Sequence, residues 1–194
     1  MIIPIILSTL YLSGYTIYEN FISISGGPVH WHADYQVWAC GEKLDLIDPK
    51  GITNKIGSAV LHEHEDDRIH IEGTVIDWND ITLRKYFEVI GGELEKGHLI
   101  YPTKNGIIEY EGENLCDNQE GTLKVYVNGK AVEDYENYLI YPDAYVPPGD
   151  CIIIKFDSDD STETDILCDT WAVAGWNYVN FARREINIGD KRWF

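Results

Sequence analysis

His30-Trp31-His32-Ala33-Asp34-Tyr35-Gln36-Val37, and further along Leu61-His62-Glu63-His64 followed by Ile69-His70-Ile71-Glu72, decide how this chain folds. Side chains on a strand repeat every two residues, so an H-x-H puts both imidazoles on one face. Residues 29–39, rich in aromatic and β-branched side chains, read as one strand. Residues 59–65 and 69–75 read as two more, joined by an acidic turn at Asp66-Asp67. Five of the six histidines lie in this region.

Two H-x-H pairs can supply four neutral nitrogen ligands, a chemistry that suits copper or zinc. His30, His32, His62 and His64 are therefore the expected ligands, with His70 and Glu72 contributing or orienting. Asp34 shares the His30 and His32 face and is a further carboxylate. Glu63, Glu65, Asp66 and Asp67 favour a cation by their field. Loop length decides the side taken by His70. A two- or four-residue loop between His64 and Ile69 turns it away from the pair, and an odd-length loop or bulge brings His70 and Glu72 beside it. The competing reading is a hydrogen-bonded or pH-sensitive patch of exposed strand histidines.

These stretches resemble a family of uncharacterised, membrane-anchored or secreted archaeal and bacterial proteins with an H-x-H strand followed by an L-H-x-H…I-H-I-E hairpin. Thr82-Leu83-Arg84-Lys85-Tyr86-Phe87 resembles that family's short helix, and Val125-Tyr126-Val127-Asn128-Gly129-Lys130 its later strand-turn. The resemblance spans about residues 28–156. It implies an architecture and a shared histidine pattern, with no established activity. The hairpin here is one residue shorter than that family's form.

Outward from the histidines, Asn79 or Asp80 is expected to cap a helix over residues 82–90. Leu83, Phe87 and Ile90 recur at helical spacing, and Gly91-Gly92 ends it. Cys40-Gly41-Glu42-Lys43 reads as a turn leading to a returning strand at residues 44–46. Asn128-Gly129 is a strong hairpin signal, and residues 151–156 form another strand. Asp169 is a candidate cap for a helix over 169–185 with Trp171, Gly175, Tyr178 and Ala182 on one stripe. The tail Lys191-Arg192-Trp193-Phe194 ends in two aromatics that pack on the domain or meet a second molecule.

With 194 residues, 44% hydrophobic and 12% aromatic, the chain suits one packed domain. Its formal net charge of −18, from 33 acids against 15 bases, excludes nucleic acid and anionic membrane surfaces as electrostatic partners. Residues 1–18 carry no charged side chain. They are at the short end of a membrane span, with no basic n-region and no clear A-x-A site after them. A membrane anchor is expected there; a cleaved signal, or a segment buried in the fold or between subunits, is the alternative. Four cysteines, at 40, 116, 151 and 168, with such an N-terminal segment suggest disulfides, for which three pairings exist. Cys151 and Cys168 flank an acidic hairpin-like loop and can pair across it, leaving Cys40 for Cys116. Four buried thiols in a reducing compartment are the other reading.

Other chemistry is weak. Residues 157–165 are acidic but lack the EF-hand spacing and read as a solvated loop. His98 stands alone. No nucleophile elbow, phosphate loop or H-E-x-x-H helix is present. The tyrosines and tryptophans invite a sugar-stacking role, although core and interface positions account for them better.

The expected architecture is α+β and mainly β, a β-grasp- or sandwich-like sheet with one clear helix and an N-terminal apolar segment. Residues 1–20 form the anchor, signal or assembly segment, 21–28 a linker, and 29–194 a histidine-rich extracytoplasmic β domain, at the cell surface or secreted. The expected role is a copper- or zinc-binding module. The rivals are a structural subunit of an extracellular filament or envelope assembly, self-associating through the apolar N-terminus, and a metal-dependent enzyme needing a base such as Glu63 or Glu72. No reaction or substrate is named by these residues, and a non-catalytic role is favoured.

Overall fold

The structure, a computed structural model, describes residues 2–50, 54–116, 118–140, 149–158 and 162–169. Apart from Asp169, the expected helix over 169–185 falls outside these, as do the aromatic tail and part of the acidic stretch 157–165. The chain is α+β and mainly strand, as its alternating apolar pattern implies.

Strand β1, Pro28–Ala39, organises the domain. Its odd-numbered side chains Ala33, Tyr35, Val37 and Ala39 enter the main core, joined by the partly buried Val29 and Trp31. The even-numbered His30, His32, Asp34, Gln36 and Trp38 take the other face, as a two-residue period requires. The first part of β1 pairs antiparallel with β5, Arg68–Thr74. The last part pairs with β2, Glu42–Leu44. Along its other edge runs β13, Cys151–Asp157, in parallel. Beyond β5 lie β4, Leu61–Glu63, and β3, Ile56–Gly57. Beyond β13 lie β11, Thr122–Val127, and β12, Lys130–Ala131, joined by the Asn128-Gly129 turn with φ of 51° and 85°. Central β13 is apolar on both faces (Ile152, Ile153 and Ile154 are buried), the signature of a strand covered on two sides.

One face of this eight-stranded sheet is covered by helix α2, Leu83–Ile90, and a three-stranded sheet. The latter comprises β6, Glu93–Glu95, β7, His98–Thr103, and β8, Gly106–Glu111. Leu83, Tyr86, Phe87 and Ile90 of α2 are buried. Tyr86 meets Tyr35 edge-on at 5.1 Å between ring centroids, and Tyr35 and Tyr101 hydroxyls lie 3.2 Å apart. The helix cap departs from the sequence reading. Thr82 caps α2, its hydroxyl accepting from the Lys85 N–H, while Asn79 and Asp80 lie in a preceding 3-10 turn, Trp78–Ile81, which Asp77 caps. Residues 44–46 were expected as the return strand, but the tight Cys40-Gly41 turn brings in Glu42–Leu44 instead. A short pair, β9, Leu115–Cys116, and β10, Gln119–Glu120, completes the described strands.

All four cysteines are paired, Cys40 with Cys116 and Cys151 with Cys168. The second bridge pins the segment around Ile166 over the other face of the sheet. There Tyr126, Cys151, Ile153 and Cys168 form a smaller core with Trp38 and Ile166 against it. Two disulfides suit an oxidising, extracytoplasmic compartment.

Residues 2–22 form helix α1, Ile2–Ile22, none of whose side chains is buried. Ile2, Ile3, Leu10, Tyr11, Ile17 and Phe21 are among its exposed apolar residues. Among the described residues, no helix is long and apolar enough to cross a membrane, so anchoring through residues 1–18 has no structural support.

Candidate metal centre

The face of the sheet turned away from α2 carries the histidines. Register sets the arrangement. On β1 and β5, His32 stands opposite His70, and His30 opposite Glu72. On β4 and β5, His62 stands opposite His70. His32, His70 and His62 thus form one row across three strands. The four residues between His64 and Ile69 were expected to turn His70 away, but His62 pairs directly with His70, so the turn between paired positions is odd in length and returns His70 to the face of His62. Left-handed backbone at Glu65 and Asp67, φ 66° and 53°, makes that turn.

All six sequence-selected residues lie on this face, in two groups. Ligand atoms of His30, His32 and His70 lie within 4.8 Å of one another, and so do those of His62, His64 and Glu72. Either group has the geometry to hold a metal ion. His70, whose side the sequence left open, is central: its ring centroid is 4.6 Å from that of His32, 4.9 Å from His64 and 5.7 Å from His62.

Burial and hydrogen bonding prepare these rings differently. His62 is fully buried and neither of its ring nitrogens has a hydrogen-bond partner. Leaving such a group unsatisfied costs about 1–3 kcal/mol. Burial pushes its pKa down to about 4, with nearby Lys55 adding to the effect. His32 is also lowered to about 4, by burial and then by His70 and His30 beside it. Both are neutral at pH 7 and present a nitrogen lone pair.

His70 Nε2 lies 3.1 Å from Asp66 Oδ2, and its buried Nδ1 has no partner. Burial by itself would raise the Asp66 pKa, but the His70 hydrogen bond and charge bring it below the usual value. His64 Nδ1 lies 2.6 Å from the Asn54 carbonyl oxygen. As that oxygen only accepts, Nδ1 carries the proton and Nε2 keeps the lone pair. Orienting a ligating imidazole through its second nitrogen in this way is a recurring feature of metal sites. In the sequence Asp66 is one of several acids near the histidines, and nothing there marks Asn54. The Asp66 signal is its i, i+4 spacing to His70 across a turn.

Two expected contributors are engaged otherwise. Asp34 is on the histidine face but is held by Arg68 Nε at 2.7 Å. Glu63 is buried, and its Oε1 accepts from the N–H groups of Asp66 and Asp67 at 2.6 and 3.2 Å. It shares the inward side of β4 with Leu61 and fastens the turn, so it is no base for chemistry at the histidines. His98 lies on β7, where Glu109 at 2.8 Å raises its pKa.

Glycine shapes both flanks. A Cβ on Gly57, φ 124°, would lie 2.5 Å from the Leu61 carbonyl oxygen and 2.8 Å from His62 Cα. On Gly149, φ 106°, it would lie 1.9 Å from the carbonyl oxygen of His32. Both positions bring backbone against ligand-bearing strands where no larger residue fits. No family model, curated protein or solved structure matches this chain.

Proposed function

We propose that the protein is an extracytoplasmic copper- or zinc-binding module whose ligands are drawn from His30, His32, His62, His64, His70 and Glu72. The buried His62 ring carries this reading. Two buried nitrogens without a hydrogen bond are costly alone, and a metal–nitrogen bond satisfies one of them. The paired disulfides support the compartment. Elemental analysis of untagged full-length protein tests it. Bound copper or zinc, or its uptake by metal-stripped protein, with less in His62→Ala, is expected. Natively folded protein that neither carries nor takes up either metal overturns the reading.

A second reading concerns α1. Its apolar side chains are exposed around the whole helix, and such a surface calls for cover. We infer that α1 segments of neighbouring copies pack together in a surface filament or envelope assembly. Sedimentation and electron microscopy of the full chain, compared with a chain lacking residues 1–22, test this. Assemblies lost on deletion support it. A full-length monomer, or one that only partitions into lipid, removes it.

A further inference from the structure

One ion cannot use all these ligands. The six residues divide into two threes, and it is within each three that the ligand atoms lie within 4.8 Å of one another. The expected set of His30, His32, His62 and His64 straddles that division. Glu72 stands on the boundary. Its Oε1 is 3.2 Å from His30 Nε2, in one group, and its Oε2 is 3.6 Å from His62 Nε2, in the other. Opposite β1 partner His30 and diagonal β4 neighbour His62 thus each meet a different oxygen of one carboxylate.

Resting on the metal-binding reading, we propose that the face holds two metal ions side by side, one on His30, His32 and His70, the other on His62 and His64, with the Glu72 carboxylate bridging them. A bidentate bridge suits ions about 3.5–4 Å apart, the usual spacing in two-metal sites. Two nearby dications repel, and the bridging anion between them offsets part of that repulsion. Asp66, bonded to His70, supplies a second negative charge at the edge of the cluster. The first ion then has four protein ligands at most and the second three, with any remaining coordination open to a small anion or water.

The test is metal loading of stripped, untagged full-length protein with Cu(II), followed by gel filtration and elemental analysis. Two ions per chain are expected. Electron paramagnetic resonance gives a second readout needing no substitution. Signal per copper is full at low loading and falls at full loading, because the carboxylate couples the two spins; Glu72→Gln restores it. His32→Ala and His64→Ala each retain one ion, with different spectra. One ion per chain, lost equally in both variants, overturns the two-ion arrangement and leaves the metal-binding reading standing. Two ions with no loss of signal overturn the bridge. No uptake overturns both.

Discussion

His62 and His70 face each other across β4 and β5 with their rings stacked, planes 4° apart and centroids 5.7 Å apart. Leu61, Ile69 and Ile71 alternate with them on the same strands and are buried in the core beneath α2. A slip of one residue would carry those apolar side chains into solvent and the histidines into the core. The packing that stabilises the sheet therefore also fixes the histidine row on a rigid support.

The buried His62 and half-buried His32 make stability depend on pH. His32 and His62 have folded pKa values near 4, against an ordinary value of 6.5. Between these limits the unfolded chain binds more protons, so their contribution is full above pH 6.5 and is lost as pH falls towards 4. His98, with a raised pKa, acts in the opposite sense, its contribution being present below 6.5 and lost as pH rises through its folded value. Urea unfolding of metal-free protein should show the midpoint falling from pH 6.5 to 4, less steeply in His62→Gln. A midpoint unchanged across that window in the unsubstituted protein counts against neutral burial.

Asp66 Oδ2 lies 3.1 Å from His70 Nε2, and in the proposed centre it orients that ring rather than binding an ion. In Asp66→Asn the backbone N–H that Glu63 binds is retained, while the carboxylate facing His70 Nε2 is lost. Metal affinity should drop about 10–100-fold, read by competition with a chelator, while the melting temperature of the metal-free protein changes little. Affinity equal to that of the unsubstituted protein would show that His70 needs no such partner.

Much of this site was legible from alternation alone. The faces of β1 follow from Val29, Trp31, Ala33 and Tyr35 interleaving with His30, His32 and Asp34, and the Asn128-Gly129 hairpin follows from local turn chemistry. What remained hidden is what depends on non-local geometry. The side taken by His70 turned on how Glu65 and Asp67 adopt left-handed backbone. The division of ligands into two groups depends on three strands lying in register. The sheet β6–β8 is faint in the sequence, although Asn105-Gly106 between Leu99/Tyr101 and Ile108/Tyr110 offers a hairpin signal. Its glutamates and short strands masked it. The cap of α2 was misplaced because Asn79 and Asp80 are good caps by type, but Asp77 starts a 3-10 turn before Thr82 starts the helix.

The two disulfides should differ in worth. Cys151–Cys168 closes a separation of 17 residues and Cys40–Cys116 one of 76. Chain-entropy reasoning gives about 3 and about 4.5 kcal/mol respectively. Replacing each pair by alanines and measuring urea midpoints should therefore cost more at Cys40–Cys116. The reverse order would mean that the smaller core around Ile153 and Tyr126 depends on its bridge for packing beyond the entropy of closure.

Gly149 is the backbone position on which β1 depends most directly. Its φ of 106° is strained for any other residue, and an added Cβ would sit 1.9 Å from the His32 carbonyl oxygen. The next residue ties the same strand, since the Asp150 carbonyl accepts from the Asp34 N–H at 2.8 Å. Gly149→Ala must therefore push the 149–150 segment off β1 or bend β1 at His32. Left-handed strain and the clash together should cost about 2–3 kcal/mol, a fall in melting temperature of roughly 5–10 °C for a chain of this length. Gly112→Ala is the matched control, since a Cβ there meets nothing within 4 Å and should leave the melting temperature within about 1 °C. Because the strain is delivered at His32, Gly149→Ala should also weaken metal binding, whereas Gly112→Ala should not. If both variants melt alike and bind metal alike, the approach of Gly149 to His32 does not hold the site.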